Sequence, residues 1–216
     1  MDTQATEKQD LTETETMPAV LGTAKGQFGK LRKVYEFTQA YMSANTRHPY
    51  HSFSHAKDVC HAALRLADGY SFDSEWRFIV STAALMHDAY YVIGGKHNEE
   101  ASAKLAELVL PRMGYKDYQV SWVSRLIMAT KMPTRPKNLA EEIICDADLD
   151  NLGREDAIQK GHALRVEYGI EDLHEWYTRQ YNFLKGHKYY TERAQELRQE
   201  GLKSNVAKLE QLAGVA

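Results

Sequence analysis

The chain has 216 residues and carries 27 lysines and arginines against 30 aspartates and glutamates, which gives a formal net charge of −3. This balance, without a broad basic region, argues against non-specific nucleic-acid binding as the main task, and we expect no stable nucleic-acid complex. No apolar run approaches the roughly 20 residues that cross a bilayer, so we expect no membrane association either.

Residues 1–26 hold five acidic side chains and few apolar ones, a composition typical of a flexible acidic tail. Their order is not that of a signal peptide, in which a basic segment precedes an apolar one. Cys60 and Cys145 lie far apart in apolar segments, where a reduced thiol is more usual than a disulfide. We therefore expect a cytoplasmic protein with one domain over residues 27–216.

The first predicted helix covers about residues 28–45. Its apolar residues recur at helical spacing from Phe28 to Met42. It should end before His48 and Pro49, because a residue that precedes proline resists the helical conformation.

A second helix should follow, capped by Ser52 or Ser54. If His51 lies on its first turn, His51 and His55 share one face, since four residues separate them as in other helical metal sites. His61 falls off that face. The pair of histidines is therefore a candidate for metal binding.

The third predicted helix, residues 72–88, ends in a histidine and a carboxylate. Residues 80–86 are all apolar or small, as expected of a helix that is buried nearly all round. The helix delivers His87 and Asp88 at its C-terminal end. Buried ionisable groups are costly unless they are paired or bind a metal, so this end of the helix indicates a site.

Two glycines then force an irregular connection. A fourth helix follows, and residues 97–103 form its first part. Glu99 and Glu100 fall in its first turn, where the helix dipole favours acidic side chains. A fifth helix is predicted over about residues 116–131.

The segment 143–153 places acidic residues inside an apolar stretch, and at least one of Asp146 and Asp148 must point inward. Residues 154–213 follow as two or three helices. We find no strand-like alternation of any length. The predicted fold is therefore all-α, a bundle of eight or nine helices.

These candidates could meet at one metal ion. His55, His87, Asp88 and one acid of Asp146 or Asp148 supply two imidazoles and two carboxylates. Such mixed ligation suits manganese, iron, nickel, cobalt or zinc better than calcium. Neighbouring ligands point in different directions on a regular helix, so they can converge only at a helix end.

The sequence resembles the HD superfamily of metal-dependent phosphohydrolases, whose signature is a histidine, a later His-Asp doublet and a distal aspartate. The resemblance extends over about residues 30–185 and rests on four pieces in family order. The sequence looks most like a branch of small predicted HD hydrolases. The first of the four pieces is also similar to the corresponding segment of class I cyclic-nucleotide phosphodiesterases. The four pieces are residues 50–59, 84–88, 98–103 and 146–149.

The resemblance implies a single HD-domain helical bundle that holds one or two divalent transition-metal ions. It implies His55, His87, Asp88 and Asp148 as metal ligands, with Asp146 as the fallback for the fourth.

The resemblance also implies catalytic roles. His51 matches the residue that protonates the leaving oxygen in the phosphodiesterases, although Ser52 stands where the family usually has asparagine. Glu99 or Glu100 is a candidate base or a residue that supports the metal ligands.

The reaction that the resemblance implies also needs groups that bind substrate. Cations should offset the charge of the phosphoryl oxygens, and Lys96, Lys131 and Arg165 are the candidates. Four tyrosines could form a wall for a base or another flat group: Tyr50, Tyr90, Tyr91 and Tyr168.

The leading functional hypothesis is a metal-dependent phosphohydrolase, either a phosphomonoesterase or a phosphodiesterase. It would act through metal-activated water on a small phosphorylated substrate such as a nucleotide. The alternatives are an HD-type di-iron oxygenase, which needs further histidines where only His97 is found, and a non-catalytic, metal-stabilised nucleotide-binding module. The oligomeric state, with a homodimer as one option, stays open.

Overall fold

A computed structural model describes residues 25–45 and 48–215. Within these ranges the chain forms nine α-helices and two 3₁₀ turns and contains no β-strand, which confirms the all-α prediction. The helices are α1 (Lys25–Asn45), α2 (Phe53–Ala67), α3 (Ser74–Met86), α4 (Asn98–Val109), α5 (Asp117–Ala129), α6 (Leu139–Asp148), α7 (Ala157–Glu167), α8 (Leu173–Gly186) and α9 (Glu192–Ala213), and the 3₁₀ turns are Pro111–Met113 and Asp150–Gly153.

The predicted acidic tail, residues 1–26, lies outside the described part of the chain except for its last two positions, which belong to α1. One domain over residues 27–216 stays a prediction. None of the described helices combines the length and the apolar character that a membrane crossing requires.

Helix α3 is the central element of the bundle. All of its residues from Phe78 to Met86 are buried, and it packs against α1, α2, α5 and α6. The Asp73 carboxylate accepts a hydrogen bond from the Trp76 amide and so caps the N-terminus. The helix ends at Met86, two residues earlier than predicted. His87 and Asp88 therefore follow directly after its last turn, where neighbouring side chains can turn toward one point.

Helix α2 begins at Phe53, with Ser52 at the N-cap position. The Ser52 hydroxyl makes no capping bond and instead donates to the Tyr50 carbonyl at 3.3 Å. His51 precedes the helix. The face that His51 and His55 would have shared on a first turn is therefore not formed.

The C-terminal helices are held to the bundle by Asp146, which is fully buried in α6. Its carboxylate accepts hydrogen bonds from the Tyr190 amide at 2.9 Å and from the Thr191 amide and hydroxyl at 2.8 and 2.7 Å. Thr191 in turn caps α9. Burial raises the pKa of Asp146, although these hydrogen bonds oppose the rise. The acid thus fixes the start of α9 against the end of α6.

The 3₁₀ turn after α6 lies directly against α9. A Cβ added at Gly201 would come within 2.0 Å of the Gly153 carbonyl oxygen, and one at Gly153 within 2.4 Å of the Arg198 carbonyl oxygen. Only glycine allows two backbones to approach this closely. The Arg198 guanidinium also donates to Asp150 at 2.7 Å. This contact holds the segment that follows Asp148.

Candidate metal centre

Four side chains from three parts of the fold converge on one point. One ligand atom each from His55, His87, Asp88 and Asp148 lies within 4.8 Å of the others, and the group could hold a metal ion. His87 Nε2 lies 3.0 Å from Asp88 Oδ2 and 3.2 Å from Asp148 Oδ1. His55 Nε2 lies 3.1 Å from the same Asp148 oxygen.

The local structure explains why these groups meet. His55 lies in the first turn of α2, His87 and Asp88 follow α3, and Asp148 is the last residue of α6. Helices α2, α3 and α6 pack against one another, so their adjoining ends bring the side chains together.

His87 carries the clearest sign that a cation belongs here. Its Nδ1 donates to the Ala84 carbonyl at 2.8 Å, which leaves Nε2 as the ligand atom. Nε2 is buried, makes no hydrogen bond in the described part of the chain, and faces the carboxylates of Asp88 and Asp148. Lone pairs that converge at such distances repel unless a positive charge lies between them. Two imidazoles and two carboxylates fit a divalent transition metal.

The electrostatics of His87 agree with this arrangement. Burial alone would lower the pKa of His87, because it disfavours the charged imidazolium. The carboxylates of Asp88 and Asp148 outweigh burial and raise the pKa of His87 well above its ordinary value. The site therefore attracts positive charge strongly.

A second arrangement, which the sequence patterns did not reveal, holds His51. His51 Nδ1 donates to Glu167 Oε1 at 2.5 Å, and the amides of Tyr50 and His51 donate to Glu167 Oε2 at 3.1 and 3.0 Å. The Tyr91 ring stacks on the His51 ring, with 3.6 Å between centroids. Burial opposes ionisation of Glu167, but its bonds to His51 prevail and lower its pKa. Glu167, and not Ser52, thus holds the His51 ring in place.

Glu167 belongs to no motif and lies 116 residues from His51. One signal could have drawn attention to it. It is an acidic residue at the C-terminal end of α7, where the helix dipole favours basic side chains. An acid at such a position needs a partner elsewhere in the fold.

Three solved structures are similar to this chain over most of its length. YpgQ from Bacillus subtilis is 18% identical with a TM-score of 0.64, over 86% of this chain and 96% of that one. A structure of YpgQ in complex with ADP gives 18% and 0.61 over the same shares of the two chains. A predicted HD superfamily hydrolase from an uncultured Thermotogales bacterium is 21% identical with a TM-score of 0.59, over 85% of this chain and 91% of that one.

The chain has an HD superfamily fold. No protein-family model matches the sequence, and no curated protein matches it either. At sequence identities of 18–21%, the similarity to these structures shows a shared backbone fold.

The remaining acids predicted for the site of the HD fold lie in different places. The Asp146 carboxylate is used by Tyr190 and Thr191 and does not join the metal cluster. Glu99 lines the cavity beside the cluster. The carboxylate of Glu100 instead forms an ion pair with Lys131.

The structure does not bring the three predicted cations to the site. Lys96 is exposed and Lys131 is paired with Glu100, and neither lines the cavity. Arg165 donates to the Ile170 carbonyl at 2.6 Å, where it closes the turn after α7. A cation that does line the cavity is Arg179, which also forms an ion pair with Glu175 at 2.5 Å.

The cavity has a volume of about 420 Å³ and reaches from the metal cluster to the cleft between α7 and α8. His51, His55, Asp88 and Asp148 all line it. Tyr50, Tyr91 and Tyr168 are in its wall, whereas Tyr90 is exposed and is not. The volume is within the range of small-molecule sites.

Proposed function

We propose that the protein is a metal-dependent phosphohydrolase that acts on a nucleotide or another small phosphate ester. The observation that carries the proposal is the cluster of His55, His87, Asp88 and Asp148 at a cavity that His51 also lines. The structural neighbour in complex with ADP supports a nucleotide as the substrate class.

His55, His87, Asp88 and Asp148 would hold the metal through two imidazole nitrogens and two carboxylate oxygens. A bound divalent ion would supply water activated for attack and positive charge beside the phosphoryl oxygens. The Ala84 carbonyl orients the His87 ring through Nδ1, which keeps Nε2 directed at Asp88 and Asp148.

His51 is the proposed proton donor to the leaving oxygen. Glu167 binds its Nδ1, so Nε2 is the nitrogen that can pass a proton to substrate. The Glu167 carboxylate fixes the orientation of the His51 ring, and stacking on Tyr91 restricts its rotation. The pair supplies the acid that an alkoxide leaving group needs.

The experiment is hydrolysis of a panel of nucleotides, cyclic nucleotides, sugar phosphates and an aryl phosphate with manganese, nickel, cobalt or zinc. We expect the wild-type protein to hydrolyse at least one of them and Asp88→Asn to abolish the activity. Asp68→Asn is the control, since that carboxylate is exposed and distant from the cluster. Activity that survives in Asp88→Asn would exclude this site, and the panel separates monoesterase from diesterase.

The oxygenase alternative has less support. An oxygenase site would need a further histidine, and His97 is the candidate between His87 and Asp148 in the sequence. The His97 side chain is 80% exposed, pairs with Glu100 and is not part of the cluster. Oxygen consumption by the iron-loaded protein would revive this alternative.

A further inference from the structure

Gly161 is a buried glycine in the interior of α7. Glycine destabilises a helix interior relative to alanine, because it loses the most backbone freedom on folding. Its presence at a buried helical position therefore needs a reason, such as the close approach of another group.

Packing of the protein itself provides only a weak reason, because a Cβ there would meet side-chain atoms and no backbone. The three atoms nearest to a Cβ added at Gly161 all belong to side chains, Gln180 Oε1 at 3.3 Å, Gln180 Cδ at 3.8 Å and Trp176 Cζ2 at 3.9 Å. The end of the Gln180 side chain can move by the few tenths of an ångström that a methyl group requires. At Gly153 and Gly201, by contrast, an added Cβ would collide with backbone.

The space beside Gly161 belongs to the cavity of the metal centre. Ala157, Gly161, Leu164 and Tyr168 line this cavity at the spacing of one helix face. Six residues separate Gly161 from Glu167, which is about 9 Å along the helix axis. This end of the cavity therefore lies more than one helical turn from the residue that holds His51.

The opposite wall comes from one face of α8, residues 176–183. Trp176, Phe183 and Leu164 make this end of the cavity largely apolar. The partly exposed side chain of Gln180 lies among them, and its amide group makes no hydrogen bond to any group in residues 25–45 and 48–215. A side-chain amide beside apolar groups offers a ligand both an NH2 group that donates and a carbonyl oxygen that accepts.

We propose that the cleft between α7 and α8 binds the base of a nucleotide, with the flat ring beside Gly161 and Trp176 and its edge hydrogen-bonded to Gln180. A ring of this kind is apolar on its faces and polar at its edge, which matches the two kinds of wall. The inference rests on the proposed function, because it names the substrate class of the same site. Gly161 and Gln180 are then the residues that determine specificity for the base.

The test is the binding of four nucleosides, adenosine, guanosine, cytidine and uridine, followed by ligand-detected NMR, with ribose 5-phosphate as the comparison. Nucleosides carry no phosphate, so their binding depends on neither metal nor hydrolysis. We expect the wild-type protein to bind at least one nucleoside saturably. Gln180→Leu should weaken that binding about 5- to 10-fold, as for a lost hydrogen bond, and Gly161→Leu should abolish it.

Controls keep the test specific. Gly186→Ala lies where an added Cβ meets nothing within 4 Å, and Gln159→Leu replaces an exposed glutamine of α7 that does not line the cavity. Both should bind nucleosides as the wild type does. Gly161→Ala should fold normally and weaken binding, which covers the case in which Gly161→Leu fails to fold.

The outcomes separate the two proposals. Absence of saturable nucleoside binding, or binding that Gly161→Ala and Gln180→Leu leave unchanged, would overturn the base site even in an active hydrolase. Nucleoside binding that depends on Gly161 and Gln180 in a protein without hydrolytic activity would support the base site and contradict the phosphohydrolase.

Discussion

His51 Nδ1 donates to the Glu167 carboxylate at 2.5 Å, and the second oxygen of the same carboxylate accepts the amides of Tyr50 and His51. One acid at the end of α7 thus fixes both the backbone and the ring of the segment that precedes α2. This relationship determines which nitrogen of His51 remains available to a substrate.

Glu167→Gln should lower the turnover number for phosphate-ester hydrolysis about 10- to 100-fold, because a neutral amide holds the His51 ring less firmly in the orientation that presents Nε2 to the substrate. Metal content should not change, since Glu167 lies outside the cluster. Steady-state kinetics and metal analysis of Glu167→Gln and His51→Ala measure both effects. Glu171→Gln, at an exposed position nearby, is the control. An unchanged turnover number in Glu167→Gln would contradict the proposal that Glu167 orients His51.

Asp148→Asn and Asp146→Asn form a matched pair in α6. We expect Asp148→Asn to weaken manganese binding at least about 100-fold, because a ligand is lost. The melting temperature of this variant should not rise with added manganese, whereas that of the wild type should. Asp146→Asn should keep the response to manganese and lose about 1–3 kcal/mol of unfolding free energy, since buried hydrogen bonds to Tyr190 and Thr191 are weakened. The reverse pattern would make Asp146 the ligand.

Asp58 should make the stability of the protein depend on acid pH. Burial favours a higher pKa, but hydrogen bonds from Arg154 and Lys160 outweigh it and lower the pKa of Asp58 to about 2. Because the folded-state pKa lies below the unfolded value of about 3.9, the stabilisation is complete above pH 4 and is lost as the pH falls toward 2.

Asp58→Asn should therefore lower the unfolding free energy by about 1–2 kcal/mol at pH 7, a range reduced for the partial exposure of the pair. The difference from wild type should shrink between pH 4 and pH 2. Denaturant titrations across that range measure it. Asp68→Asn, whose carboxylate is 63% exposed, should show a smaller effect. A pH-independent difference would show that the charge of Asp58 is not its cause.

Gly153→Ala and Gly161→Ala should differ in stability although both replace a buried glycine. An added Cβ at Gly153 meets backbone of α9 at 2.4 Å, so we expect a loss of about 3 kcal/mol. At Gly161 the neighbouring side chain can yield, and the helical propensity of alanine should leave stability unchanged or raise it by up to about 1 kcal/mol. Thermal denaturation of the two variants compares them directly. Equal losses would mean that Gly161 is also required for packing.

Local sequence predicted the helices because helical periodicity, proline positions and capping residues act over a few residues. The end of α3 is an example. An apolar run that covers every face must be buried, and a histidine and an aspartate after it must meet a partner or a metal. The start of α2 is the counterexample, since the spacing of His51 and His55 would suit one helical face, whereas His51 precedes the helix and its amide donates to Glu167.

The sequence by itself determined the all-α class, the approximate extent of most helices, and a short set of residues with the right chemistry for a metal. The family resemblance already favoured Asp148 over Asp146, whereas only the tertiary structure decided that Glu167 holds His51 and that Arg165 turns to a backbone carbonyl. The physical reason is that spacing along a helix sets the face on which a residue lies, whereas its partner depends on how distant helices pack. His51 and Glu167, 116 residues apart, meet because the fold places the end of α7 beside the segment before α2.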